Sequence, residues 1–153
     1  SRNVRACYRV LVDNYAPGDE LYFFGFSRGA YTVRSLTGMI RNSGLLRSEH
    51  AHLIPRAYAL YRDRSPETRP NSLEAQSFRA SYSHPDVRVH FVGHADSQPL
   101  SGALARVFEE NVIRAISEVD KILLFIRAEP EQRVRGQAHR GAIVLGLKPE
   151  PQA

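Results

Sequence analysis

Cysteine, methionine and long apolar runs are all scarce in this chain. The one cysteine, Cys7, cannot close an internal disulfide, and its place in an apolar helical pattern fits a small buried side chain rather than a redox or zinc site. The single methionine, Met39, falls inside a predicted helix while the chain opens on Ser1, so the sequence reads as a segment of something longer or as a processed product. No stretch approaches the roughly 18 consecutive apolar residues of a membrane span, and the first residues have neither the basic nor the apolar region of a signal peptide. Internal repeats, coiled-coil heptads and long low-complexity tracts are also missing.

What remains is ordinary globular material. The 153 residues are 42% hydrophobic, about one domain's worth of chain with enough apolar content for a core. The formal charge of +5 favours anionic surfaces such as phospholipid headgroups or nucleic acid without choosing between them, and basic residues this scattered read first as a solvated mixed surface. A nucleic-acid module would rest on charge alone, because the basic residues are scattered and no recognition motif or aromatic–basic interleaving accompanies them.

Periodicity then gives an order of elements. In "NVRACYRVLVDNY" Val4, Tyr8, Leu11, Val12 and Tyr15 recur at helical spacing, with Asn3 as an available N-cap. "APGDE" is a turn, and "LYFFGF" is a short, almost wholly apolar run suited to a strand covered on both faces. From Arg28 the period changes to helical, with Ala30, Val33, Leu36 and Ile40 on one stripe and Gly44 as the stop. Another helix is expected over "PRAYALYRDR", with Pro55 in its first turn and Ala57, Leu60 and Tyr61 inward. Asn71 and Glu74 read as a capping box opening "LEAQSFRASY". "VRVHFVG" is a second strand with Val87, Val89 and Phe91 on one side. "ALARVFEENVIRAISEV" is helical, and "KILLFI" and "GAIVLGL" are two more strands. Alternating strands and helices predict an α/β fold with a mainly parallel sheet and flanking helices.

Gly25-Phe26-Ser27-Arg28-Gly29 fits G-x-S-x-G at a strand-to-helix junction. A serine held on so tight a turn needs small flanking residues if its hydroxyl is to project above the sheet, and the amide of Arg28, at the start of the helix, is the natural oxyanion donor. A serine nucleophile also needs a base and a carboxylate to orient that base. Asp96 lies just past the second strand, where such a carboxylate belongs, and it reads equally well as a turn or capping aspartate. Asp86 precedes that strand, and Asp120 ends a helix. His139 follows Asp96 in the chain and is the default base by order alone, and within its polar loop it reads as well as a surface histidine. His94 lies two residues from Asp96 and can reach the same cleft, although two such residues build no triad by themselves. His50 and His52 lack the further ligands of a metal site. His84 and His90 read as a loop and a strand-surface histidine. Arg28 and Arg34 flank the turn, where exposed arginines are ordinarily solvated. No metal and no cofactor is expected.

The stretch "YRVLVDNYAPGDELYFFGFSRGAYTVRSLTGMIRNSGLL" resembles the α/β-hydrolase-like family that includes the phospholipase effectors of bacterial type VI secretion and many bacterial and fungal relatives. The shared pattern, G-F-S-R-G-A-Y-T-x-R-S-L-x-G followed by I-R-N-x-G-L-L, is far longer than the catalytic motif, and the likeness continues through "HLIPRAYALYRDR" to about Gly93. The resemblance implies Ser27 as nucleophile, Asp96 of "GHADSQP" as the acid and His139 of "AHRGAIVLGLKPE" as the base, with a lipid or another small carboxylic ester as substrate. Peripheral contact with an anionic membrane surface and no nucleic-acid partner go with it, as does a cytoplasmic protein in the producing cell or one exported without a signal peptide. Relatives begin upstream with a first strand and an aspartate-glycine-threonine turn, so residues 1–147 are expected to form a partial catalytic domain, incomplete at its N-terminal side, and 148–153 a polar tail. The competing expectation is a truncated relative without turnover.

Overall fold

The computed structural model describes residues 2–26, 28–95, 121–127 and 142–146, the last two segments by their backbone pairing. The expected helix near residues 103–119 and the polar tail lie outside the described residues. In chain order the elements are α1 (Arg2–Asn14), β1 (Glu20–Phe26), α2 (Arg28–Ser43), α3 (Ile54–Arg62), α4 (Leu73–Tyr82), β2 (Val89–Ala95), β3 (Lys121–Arg127) and β4 (Ala142–Gly146). Short 3-10 turns at Ser48–Leu53 and Pro66–Thr68 flank α3.

Helix α1 buries Val4, Cys7, Tyr8, Leu11 and Val12, the stripe that a 3.6-residue repeat presents to a core. It starts at Arg2, so Asn3 sits within the first turn rather than capping it. The turn after α1 is closed by the Asp19 carboxylate, whose Oδ2 accepts from the Ala16 amide at 2.8 Å. At α4 the cap is Ser72, whose Oγ accepts from the Ala75 amide at 3.1 Å. Asn71 therefore does not open the expected capping box; a short oxygen-bearing side chain one residue later reaches the free amide first.

The sheet has the order β2-β1-β3-β4. β1 and β2 are parallel and joined through α2, α3 and α4, whereas β3 runs antiparallel to β1 and β4 antiparallel to β3. The architecture is thus mixed α/β, and among the described strands the expectation of a mainly parallel sheet holds for the β1–β2 pair alone. An apolar run such as "KILLFI" encodes burial but not direction, which depends on the end of the strands to which the preceding connection delivers the chain.

β1 is covered asymmetrically. Leu21 and Phe23 are fully buried, while Tyr22 and Phe24 on the opposite face are half-buried. Burying each of the first two contributes roughly 1.5–3 kcal/mol. The β1–β2 register slips between Leu21 and Tyr22, pairing Leu21 with Val89 but Tyr22 with Phe91. That extra residue sends Phe91 to the ring of Phe24, 5.1 Å away, and leaves Val89 and Val92 against the core. Val89 and Phe91 thus do not share a side as strict alternation would require, because a bulge inverts the faces beyond it.

α2 packs on β1, α1 and α3, and its C-terminal end is a buried polar hub. Tyr8 donates its hydroxyl to the Gly44 carbonyl at 2.7 Å and accepts from the Leu46 amide at 3.1 Å. Ser43 donates to the Ala57 carbonyl, Asn42 to the Thr68 carbonyl, and Ser83 to the Ser43 carbonyl. Gly44, at φ 74°, ends the helix in the left-handed region that glycine tolerates without strain. These contacts give "IRNSGLL" a structural job: it joins α1, α3 and α4 to the end of α2.

Candidate functional site

β1 ends at Phe26 and α2 begins at Arg28, so one residue, Ser27, stands between strand and helix; its placement lies outside the described residues. The described neighbours explain why the chain can turn so sharply. A Cβ on Gly25 would meet the Gly29 carbonyl oxygen at 2.3 Å, its carbon at 2.4 Å and the Ala30 nitrogen at 2.8 Å. Strand and helix backbones are in direct contact there, and Gly25 is the residue that permits it. Gly29 and Ala30 are buried, Arg28 is exposed, and the Arg28 carbonyl accepts from Thr32 Oγ1 at 3.2 Å.

The first amides of a helix lack intrahelical acceptors, and the helix dipole adds partial positive charge at the same end. No acidic residue occupies the first turn of α2. The junction therefore offers donors and a favourable field to a developing negative charge, which is the electrostatic requirement of acyl transfer.

The strand register fixes what lies beside this junction. Gly25 pairs with His94 and Phe26 with Ala95, so the carboxyl ends of β1 and β2 lie side by side at one end of the sheet, and Asp96 is the next residue in the chain. Asp96 and His139 themselves lie outside the described residues, as does Asp120. β4 enters the sheet at Ala142, opposite Phe125, which in turn faces Tyr22. The connection from Arg127 to Ala142 thus starts and ends towards the Glu20 edge, away from Ser27.

The remaining histidines have visible environments. His50 Nε2 lies 3.2 Å from Arg47 Nη2, and the His50 and His52 rings meet edge to face at 6.3 Å. No group of three metal-ligating side chains occurs among the described residues. His90 stacks on Tyr22. His84 packs edge-on against Tyr15, and burial, aided by the Arg47 charge, lowers its pKa from the usual value. Burial pushes the Cys7 thiol up to about 12, which keeps it protonated and unreactive. Asp86, at φ 55°, belongs to the turn before β2. An open cleft of about 560 Å³, lined by Arg41, Arg79, His84 and Asp86 among others, lies at the C-terminal end of α2. A 16-residue helix is about 24 Å long, so this cleft is remote from Ser27. No helix among the described residues is long and apolar enough to cross a membrane.

Comparison with known proteins agrees with the sequence pattern. The family model described as T6SS, phospholipase effector Tle1-like, catalytic domain matches residues 1–139. The uncharacterized protein YEL023C of Saccharomyces cerevisiae is 34% identical over 108 residues, covering 67% of this chain and 16% of its own length. The chain therefore spans about a sixth of that relative. No solved structure matches.

Proposed function

Because the chain belongs to the family of Tle1-like phospholipase effector catalytic domains of type VI secretion, we propose that it carries the nucleophile of a serine-dependent carboxylic ester hydrolase acting on lipid. The observation that carries this reading is the backbone contact of Gly25 with Gly29 and Ala30, the close approach that a nucleophile elbow demands of G-x-S-x-G. In the proposed reaction Ser27 Oγ attacks the ester carbonyl and passes its proton to a histidine. The Arg28 amide holds the oxyanion, the alcohol leaves with the histidine's proton, and water then releases the acyl group.

Asp96 is proposed to orient the histidine. The register supports it, since Phe26 and Ala95, the residues before Ser27 and Asp96, are partners on adjacent parallel strands. His139 is the proposed base, and its position sets a demand. Three residues of chain reach about 10 Å, whereas the five-residue advance from Tyr22 to Ser27 covers about 16 Å of strand. A role as base would require His139 to fold back along the sheet, and His94, paired with Gly25, is its competitor.

An activity-directed fluorophosphonate probe tests the proposal. Labelling of the natural sequence but not of Ser27→Ala is the expected outcome, with labelling slowed by Asp96→Asn and by His139→Ala. Absence of labelling in folded protein counts against catalysis by this chain. Slowing by His94→Ala, with His139→Ala unaffected, moves the base to His94.

A further inference from the structure

Side chains from three helices converge on the solvent side of α1, α2 and α3. The Arg5 guanidinium of α1 lies 5.5 Å from the centre of the Tyr58 ring on α3, within cation–π range. Tyr61 adjoins Tyr58, with ring centres 6.2 Å apart, and its ring rests on α2, where a Cβ on Gly38 would come within 3.0 Å of it. Arg62 and Tyr31 are near enough to act electrostatically on the Tyr58 hydroxyl. Arg34 follows Tyr31 by three residues and shares its face of α2. Arg5, Arg34 and Arg62 are exposed, and none of them has a carboxylate within ion-pair distance among the described residues, in contrast to Arg9 with Asp13 and Arg47 with Glu49.

Three uncompensated guanidiniums set among tyrosines are chemically suited to the headgroup layer of an anionic bilayer. Guanidinium forks bind phosphate oxygens in pairs, and tyrosine places an apolar ring and a polar hydroxyl across the water–lipid boundary. Single-stranded nucleic acid asks for open ring faces on which bases stack. Here one face of Tyr58 is taken by Arg5, and Tyr61 is held against α2. The position of the patch matters as well. Tyr31, 52% exposed, lies in the first turn of α2, four residues after Ser27.

We propose that Arg5, Tyr31, Arg34, Tyr58, Tyr61 and Arg62 form a docking surface for anionic phospholipid bilayers that brings the amino end of α2 to the headgroup layer. This rests on the lipid-ester reading for its purpose, although not for its measurement. Each basic residue close to an anionic surface strengthens attachment about fivefold, and three of them about a hundredfold.

The test is vesicle co-sedimentation of the whole chain carrying Ser27→Ala, which needs no turnover. Binding to vesicles containing phosphatidylglycerol, weakened by salt and much poorer on phosphatidylcholine alone, is expected. Arg5→Ser, Arg34→Ser and Arg62→Ser together should weaken it about a hundredfold, while lysine at the same three positions retains most of it. If the serine triple variant melts early, Arg34→Ser alone, at an exposed helix position, must still cost about fivefold. Equal binding to both lipids, full binding by the serine variants, or tighter binding to duplex DNA than to the anionic vesicles at the same salt overturns the proposal. Hydrolysis of a short soluble ester such as p-nitrophenyl butyrate by the natural sequence reports on the hydrolase reading separately. The two readings can thus fail independently.

Discussion

Gly25→Ala is the sharpest perturbation of the strand–helix junction. The added methyl would lie 2.3 Å from the Gly29 carbonyl oxygen and 2.8 Å from the Ala30 nitrogen, both of them backbone atoms that no rotamer change can move. Ordinary contact begins near 3.5 Å, so β1 and the head of α2 have to part by about 1 Å. Overpacking of this kind costs about 1–3 kcal/mol. With both obstacles in the backbone the upper end applies, and at roughly 2–4 °C per kcal/mol for a chain of this size the melting temperature should fall by about 6–12 °C. A displacement near 1 Å at a reacting centre costs about a hundredfold in rate, so fluorophosphonate labelling at Ser27 should slow by about that factor even well below the melting point. Gly38→Ala is the control. Its methyl meets the Tyr61 ring at 3.0 Å, a side chain that need give only a few tenths of an ångström, and alanine gains up to about 1 kcal/mol of helix propensity over glycine. Thermal melts and labelling rates of the two variants side by side decide the matter. A Gly25→Ala protein that melts within a degree of the parent and labels at the parent rate would refute the close-approach reasoning.

Two further outcomes follow from the buried polar groups. Tyr8→Phe strips the Gly44 carbonyl and the Leu46 amide of a shared buried partner and should cost about 2–4 kcal/mol, a fall of roughly 5–15 °C in a thermal melt; a loss below 2 °C would show that water replaces the hydroxyl. His84 has its pKa lowered on folding, chiefly by burial, so the unfolded chain takes up the proton first. The stability contributed by its neutral form is complete above the unfolded value near 6.5 and declines as pH falls through the lower folded value. Urea melts of the parent and of His84→Phe at pH 7.5 and 5 should therefore show a smaller acid loss in the variant. An equal loss in both would remove His84 as a source of the acid sensitivity.

Much of the fold is legible because local rules act on local stretches. The stripe of α1, the aromatic run of β1, the stop at Gly44 and the two late strands each follow from periodicity or from a residue with a special backbone preference. The departures have long-range causes. Ser72 displaces Asn71 as the cap of α4, a choice between two oxygens one residue apart. The bulge between Val89 and Phe91 is a property of the β1–β2 pair and is invisible in either strand read alone. The direction of β3 and β4 depends on which end of the strands the chain returns to, and apolar runs carry no sign of it. The candidate site divides in the same way. The G-x-S-x-G pattern fixes the junction locally, and the structure adds that Gly25 touches Gly29. The choice of base is not written in the motif: His94 is placed beside Gly25 by the β1–β2 register, a matter of topology, and His139 lies outside the described residues.

The sequence by itself determined the helices among the described residues, the strand before Ser27 and the family to which the chain belongs, because these rest on residue spacing and on a long local motif. Tertiary structure alone decided that "IRNSGLL" is a buried hub of hydrogen bonds and that β1 and β2 finish side by side. It also decided that arginines and tyrosines scattered from Arg5 to Arg62 form one surface. Along the chain those residues show no basic–aromatic pattern, because they are separated by whole elements; only the packing of three helices brings their charges and rings within reach of one another.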